Sequence, residues 1–334
     1  MYRQIWVANS DRKFQLIYWR FNANEEVRTF ALNTVTYGTA CAPYLAVKCL
    51  QRIADLKEAT HPNESQAIRS DFYMDDLMTG GDCLGEVVEM RRNLEAILLE
   101  FGMPLRKWCA NNSQILEGIA KENIEGSLNI EDEELPVKAL GVMWCPRSDV
   151  FSLKYKATED GKFSKRSILS ETAKLFDPLG FVGPVIVSAK ILLQDLWKLK
   201  MDWDDEVPME IGSTWSKIKK ELVALNYVKI GRHMICCEPK RVELIGFSDA
   251  SMRAYGAVVY LKSINALGDI SVRLVASKSR VAPTKIVTLP RLELCAAALL
   301  VELVSKIKEN FQIKIDNVYY DTYLSHLFQL GNLN

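Results

Sequence analysis

Apolar residues recur at helical spacing after Pro43, at Leu45, Cys49, Leu50, Ile53 and Leu56. The spacing predicts a helix that Pro43 opens and His61-Pro62-Asn63 breaks. The same periodicity predicts helices over residues 85–101, 163–200, 214–225 and 290–308. The second of these is interrupted at Asp177-Pro178-Leu179-Gly180 and again at Gly183-Pro184. Runs rich in β-branched and aromatic residues predict strands at 5–7, 14–19, 140–144, 242–247, 255–261, 272–276 and 318–320. Phe72 to Gly81 reads as strand, tight turn, strand, closing on a glycine pair. Residues 107–113 are polar and lead to the acidic run Glu131-Asp132-Glu133-Glu134, read as solvated surface. Trp203-Asp204-Asp205 and Pro208 mark a loop, and residues 231–240 a linker. The last hundred residues run three strands, helix, strand, helix, a mixed α/β order.

The chain has 334 residues, enough for two or three domains. With 49% hydrophobic and 25% charged residues it is no disordered chain. Lys+Arg and Asp+Glu balance at 42 each. That argues against a simple basic nucleic-acid module but leaves room for a local basic groove. No run is apolar enough to span a bilayer, and residues 1–13 contain no signal-peptide core. Eight cysteines include no Cys-x-x-Cys pair. Cys236-Cys237 beside His233 lacks four-ligand zinc spacing, so the cysteines read as reduced thiols and the compartment as intracellular.

Asp75-Asp76 lie between apolar runs at the bend of the expected hairpin. Adjacent carboxylates repel, so they must be either solvated or neutralised by a cation such as Mg²⁺, which prefers carboxylate and phosphate oxygens. The wider string Tyr73-Met74-Asp75-Asp76 resembles the polymerase signature of reverse transcriptases. Its surroundings agree in order. Thr36-Tyr37-Gly38 followed by Cys41-Ala42-Pro43 is similar to the segment under the incoming nucleotide and template. Phe101-Gly102-Met103-Pro104-Leu105-Arg106-Lys107-Trp108 followed by Asn111 is similar to the segment where a basic residue, here Lys107, approaches the triphosphate. Leu140-Gly141-Val142-Met143-Trp144 is similar to the primer-grip strand. The resemblance is closest to retroelements of the BEL/Pao type, through Phe176-Asp177-Pro178-Leu179-Gly180 with Pro184, Leu193-Gln194-Asp195-Leu196-Trp197, and Trp203-Asp204. A plainer reading of these last strings is a helix stop followed by aromatic core.

A second set of carboxylates is spread over the C-terminal part. Asp249 ends one expected strand, Glu293 lies in the first turns of a helix, and Asp321 ends another strand. Glu293 shares its helix face with Ala296, Ala297 and Leu300, where a carboxylate needs a metal or a partner such as Arg291 or Lys285. Phe247-Ser248-Asp249-Ala250-Ser251 with Tyr255-Gly256-Ala257, and Leu289-Pro290-Arg291-Leu292-Glu293-Leu294, resemble the ribonuclease H domain of the same retroelements. Tyr320-Asp321-Thr322 fits less well, because Asp-Ser is the commoner form.

The resemblance implies a multi-domain α+β chain. Residues 1–145 would be a reverse transcriptase palm, 146–235 a helical thumb and connection, and 236–334 an α/β ribonuclease H-like domain. It implies RNA-directed DNA synthesis with cleavage of RNA in the hybrid, by two-metal chemistry using two Mg²⁺ (or Mn²⁺) per site. Asp75 and Asp76 would serve polymerisation, and Asp249, Glu293 and Asp321 hydrolysis. Tyr37, Gly38, Tyr73, Met74 and Lys107 would meet nucleotide and template. Leu140, Gly141 and Trp144 would form the primer grip. Lys154, Lys156, Lys162, Lys165 and Arg166, interleaved with Phe151, Tyr155 and Phe163, suit a duplex backbone held without base reading. The implied partners are RNA/DNA hybrid, primer-template duplex, dNTPs and other parts of a Pol polyprotein, with no membrane. The implied location is the cytoplasm, within virus-like particles. The family's third palm aspartate falls before residue 1 and a fourth ribonuclease H carboxylate beyond residue 334, so duplex binding with poor extension is expected. The rival reading is a decayed or domesticated, non-enzymatic nucleic-acid-binding protein.

Overall fold

The computed structural model describes residues 1–125, 136–156 and 161–322. The acidic run at 131–134 lies outside them. The chain forms two compact units, Met1–Leu140 and Gly141–Asn334.

The first unit opens with an antiparallel hairpin, β1 (Leu16–Trp19) and β2 (Arg28–Ala31). Helix α1 (Ala42–Lys57) follows, with Pro43 in its first turn and Ala46, Leu50, Ile53 and Ala54 on its buried face. The helix breaks before His61-Pro62-Asn63, as the sequence suggested, but the break is short. Pro62 opens a second helix, α2 (Pro62–Ser70), because the first turn has no use for the missing N–H. The short strands β3 (Phe72–Tyr73) and β4 (Asp76–Leu77) pair next, followed by α3 (Leu84–Glu100) and β5 (Val137–Ala139). Leu50, Ile53, Ile68, Leu94, Ile97 and Leu98 form the core. Glu64, in the first turn of α2, accepts a hydrogen bond from Asn93 of α3 at 2.8 Å. Burying each such leucine or isoleucine contributes about 1.5–3 kcal/mol.

The second unit starts with strands β6 (Val142–Cys145) and β7 (Val150–Ser152), joined later by β8 (Lys229–Gly231) in an antiparallel meander. Between them run α4 (Lys165–Ala173), α5 (Gly183–Lys198) and α6 (Met209–Leu222), packed on Ile168, Leu192, Leu196 and Trp215. α6 begins earlier than its sequence period suggested, directly after Pro208. Three long antiparallel strands follow: β9 (Pro239–Ala250), β10 (Ala254–Asn265) and β11 (Ile270–Val281). Helix α7 (Leu289–Asn310) then crosses over to β12 (Asn317–Thr322), which pairs parallel to β9. The sheet order is β11-β10-β9-β12.

Alternation along β9 puts Val242, Leu244 and Gly246 under α7. A Cβ on Gly246 would meet the Leu300 side chain at 2.6 Å, so a larger residue there would have to displace that side chain. The helices and the sheet, read from sequence as separate segments, fall in one unit. The reason is the Phe176-to-Gly180 string. Asp177 accepts hydrogen bonds from the amides of Phe181 and Val182 at 2.8 Å each, fixing the entry to α5. Leu179 O accepts from Ser277 N of β11 at 2.8 Å. Gly180, at φ +75°, lies against the Ser277 carbonyl.

Candidate active sites and nucleic-acid surface

The paired aspartates occupy the hairpin that the sequence suggested. Tyr73 pairs with Asp76, so Met74 and Asp75 form a two-residue loop. Met74 has φ 58°. Positive φ at the first loop position alone is the sign pattern of a type II′ turn, where glycine is usual. A methionine held there is a local strain of the kind that collects at functional sites. Both aspartates are exposed. Tyr37 is exposed with the Arg3 guanidinium 5.6 Å above its ring, and Gly38 has φ +87°. Lys107 also has positive φ, and its ammonium lies 3.9 Å from Glu125.

The strand expected over 140–144 begins only at Val142. Leu140 and Gly141 have φ 49° and 86° and form a turn, so neither presents a strand edge. Trp144 lies in β6. Its indole donates to Asp149 Oδ1 at 2.9 Å, and Arg232 sits 5.7 Å over its ring.

In the second unit, Asp321 pairs in register with Phe247, and Asp249 lies two residues further along β9. Residues paired across parallel strands share a face, so Asp249 and Asp321 lie on one face near the strand ends, opposite the stripe packed on α7. Both are exposed. Asp249 Oδ1 accepts from Ala250 N at 2.7 Å. Glu293 is 3% exposed on the inner face of α7, as its apolar neighbours implied. Among the described residues no three or more His, Cys, Asp or Glu side chains are grouped so as to hold a metal ion. The donors are nonetheless the hard oxygens that Mg²⁺ or Mn²⁺ takes, and Mg²⁺ commonly needs only one or two carboxylates plus substrate phosphate. Ser248, between these strand ends, buries a hydroxyl with no hydrogen-bond partner among the described residues.

Sequence reasoning missed Glu243, a carboxylate 1% exposed on the same face as Asp249. Arg241 and Lys262 pair with it at 3.1 and 3.2 Å, and the Tyr319 hydroxyl donates to it at 3.4 Å. Burial alone would raise its pKa. The hydrogen bond from Lys262 and the charge of Arg241 outweigh that and hold it below the ordinary carboxylate value. The signal was present in Val242-Glu243-Leu244, a charge inside an apolar strand.

The basic cluster divides. Lys165 is buried, donates to Met201 O, and sits 4.9 and 5.9 Å from the rings of Trp197 and Trp203. It is a core cation and cannot reach a duplex backbone, which corrects its assignment to that role. Arg166 forms a bidentate pair with Asp204 at 2.7 and 3.0 Å, which lowers the Asp204 pKa. Lys162 pairs with Glu206 at 3.0 Å. Lys154 and Lys156 remain exposed on either side of buried Tyr155, the alternation of an extended segment with its aromatic turned inward. Phe151 likewise packs inward, 5.9 Å from the ring of Phe181. No helix among the described residues is long and apolar enough to cross a membrane.

Residues 164–322 match the family described as the Pao retrotransposon-like RNaseH-like domain. No curated protein matches the chain. Among solved structures it is similar to the foamy viral protease-reverse transcriptase dRH in complex with double-stranded DNA. That similarity has 13% identity and TM-score 0.54, over 94% of this chain and 47% of that one. A foamy viral protease-reverse transcriptase in complex with double-stranded DNA matches at 14% identity and TM-score 0.48, over 98% of this chain and 59% of that one. The chain thus spans about half the length of these proteins. At such identity the likeness is one of fold. The family match runs from α4 to β12 and so covers the helices together with the sheet they pack on. Residues 164–322 thus carry a Pao retrotransposon-like RNaseH-like domain, in a chain whose fold is similar to that of a viral protease-reverse transcriptase.

Proposed function

We infer that the second unit hydrolyses the RNA strand of an RNA/DNA hybrid, and that the first belongs to a DNA-polymerising site. The observation that carries the hydrolytic reading is the placement of Asp249 and Asp321 on one face of adjacent, parallel-paired strands. Glu293 lies on α7, the helix that leads from β11 into β12. Asp249 and Asp321 would hold Mg²⁺ or Mn²⁺ with substrate phosphate, Glu293 approaching the strand ends from the α7 side; the ion when bound would stabilise charge on the attacking and leaving oxygens. The carboxylates also orient the attacking water. Its oxygen bonds to phosphorus as the P–O3′ bond breaks. In the first unit, Asp75 and Asp76 are the carboxylates for dNTP transfer, and Tyr37 and Lys107 the contacts to nucleotide and template. Lys154 and Lys156 are the backbone contacts in the second. The foamy viral structure with the higher score is described with double-stranded DNA, which supports a duplex as ligand.

The test is cleavage of a labelled RNA/DNA hybrid by the full chain with Mg²⁺. Asp249→Asn and Glu293→Gln should each reduce cleavage about a hundredfold or more while leaving hybrid binding in place, since such groups act as a unit. Binding without Mg²⁺-dependent cleavage by the unmodified chain would favour the non-enzymatic reading instead.

A further inference from the structure

The geometry points to α5 as a brace for the two chain segments that flank these carboxylates, with Gln194 and Asp195 as positioning residues. The proposal rests on the hydrolytic reading above. Gln194 and Asp195 stood out in the sequence, and neither belongs to the apolar core.

Their contacts leave the helical layer. Arg253, in the turn between β9 and β10, donates to Asp195 Oδ2. That turn directly follows Asp249. Ser251 organises it, donating its backbone N–H to Ala254 O at 2.8 Å and accepting from Ala254 N at 3.2 Å on its hydroxyl. Gln194 donates to Ala282 O at 2.6 Å, where the chain leaves β11 for the start of α7 and Glu293. Ala282 N in turn donates to Arg253 O at 2.8 Å. The four residues close a ring: Asp195 to Arg253, Arg253 to Ala282, Ala282 to Gln194, and Gln194 to Asp195 through the helix backbone.

Two side chains of one rigid helix therefore fix both the loop after the first carboxylate and the loop before the second. Asp195 and Arg253 are partly exposed, and an ion pair of that kind adds little to global stability. Its effect is one of placement. A small displacement of reacting groups costs far more rate than stability.

The experiment compares the full chain with Asp195→Asn, Gln194→Ala and the charge-exchanged double variant Asp195→Arg/Arg253→Asp. Two readouts are taken, hybrid cleavage with Mg²⁺ and amide hydrogen exchange across residues 250–254 and 282–292. In Asp195→Asn, kcat should fall about tenfold to a hundredfold. KM should stay within about twofold. Exchange in both segments should quicken, with the thermal midpoint unchanged. The double variant should recover part of kcat and slow the exchange again. Unchanged exchange, or a loss of kcat that the exchanged pair does not recover, overturns the brace. If the unmodified chain cleaves no hybrid, the hydrolytic reading fails separately. The brace then stands if Asp195→Asn quickens exchange in both segments, and falls if it does not.

Discussion

Gly180→Ala tests whether the string at 176–180 is what docks the helices on the sheet. Gly180 has φ +75°, and an added Cβ would stand 1.9 Å from Ser277 O and 2.6 Å from its carbonyl carbon. Those are backbone atoms of β11 and cannot swing aside as a side-chain end can. Gly268 is the control. It has φ +89°, in the turn between β10 and β11, with nothing within 4 Å of its added Cβ. Both substitutions force alanine into the left-handed region, at about 1–2 kcal/mol. Gly180→Ala must also push the 177–183 segment off β11. That loses the Ser277 N to Leu179 O bond and the Ser277 hydroxyl bond to Gly180 O, at about 1 kcal/mol each. The expected totals are about 3–4 kcal/mol for Gly180→Ala against 1–2 for Gly268→Ala. For a unit of this size that is on the order of 10 °C against a few degrees in the thermal midpoint. Circular dichroism melts, with urea titrations beside them, give both numbers. Equal losses at the two glycines would refute the docking argument.

Lys165→Met should leave duplex binding unchanged, because the ammonium it removes is buried between Trp197 and Trp203. Lys154→Ala and Lys156→Ala should each weaken binding and lower the slope of log affinity on log salt by about 1. Fluorescence titrations at several salt concentrations decide this, and a Lys165→Met effect equal to that of Lys154→Ala would reverse the assignment. Glu243→Gln should flatten the acid limb of stability. A carboxyl whose folded pKa is depressed contributes stability above its ordinary value of 4.5, and loses it as pH falls through the lower folded value. Urea midpoints on either side of 4.5 should converge in the variant, and an unaltered acid limb would show that the Arg241 and Lys262 pairing contributes nothing.

Most elements of this fold were legible as period. α1, α3, α5 and α7 carry long one-sided apolar stripes, and β9, β10 and β12 carry runs of β-branched and aromatic residues, with burial alternating regularly along β10. α2 was not legible, because Pro62 reads as a breaker when it follows one helix closely and as a starter only once the next helix is seen. The turn at Leu140-Gly141 was hidden by a leucine, a residue that rarely takes positive φ. Asp75, Asp76, Asp249, Glu293 and Asp321 were found as motif residues, and the apolar neighbours of Glu293 announced its burial. The basic cluster misled because sequence counts charges without their partners. Only folding puts Lys165 against two tryptophans and Arg166 on Asp204.

Hairpin β1–β2 is a two-stranded sheet, and the Leu16, Ile17, Tyr18 and Trp19 side chains of β1 are all exposed. Its outer edges carry backbone donors and acceptors with no further strand beside them among the described residues. Such an edge templates pairing with the same edge of another molecule, and aromatic side chains on both faces would let stacked pairs grow. Arg20 follows the run and Arg28 pairs with its last residue, Trp19, so both act as charged gatekeepers at one end. Self-association of the purified chain should therefore begin at this hairpin. It should rise with added salt, as the repulsion between those arginines is screened.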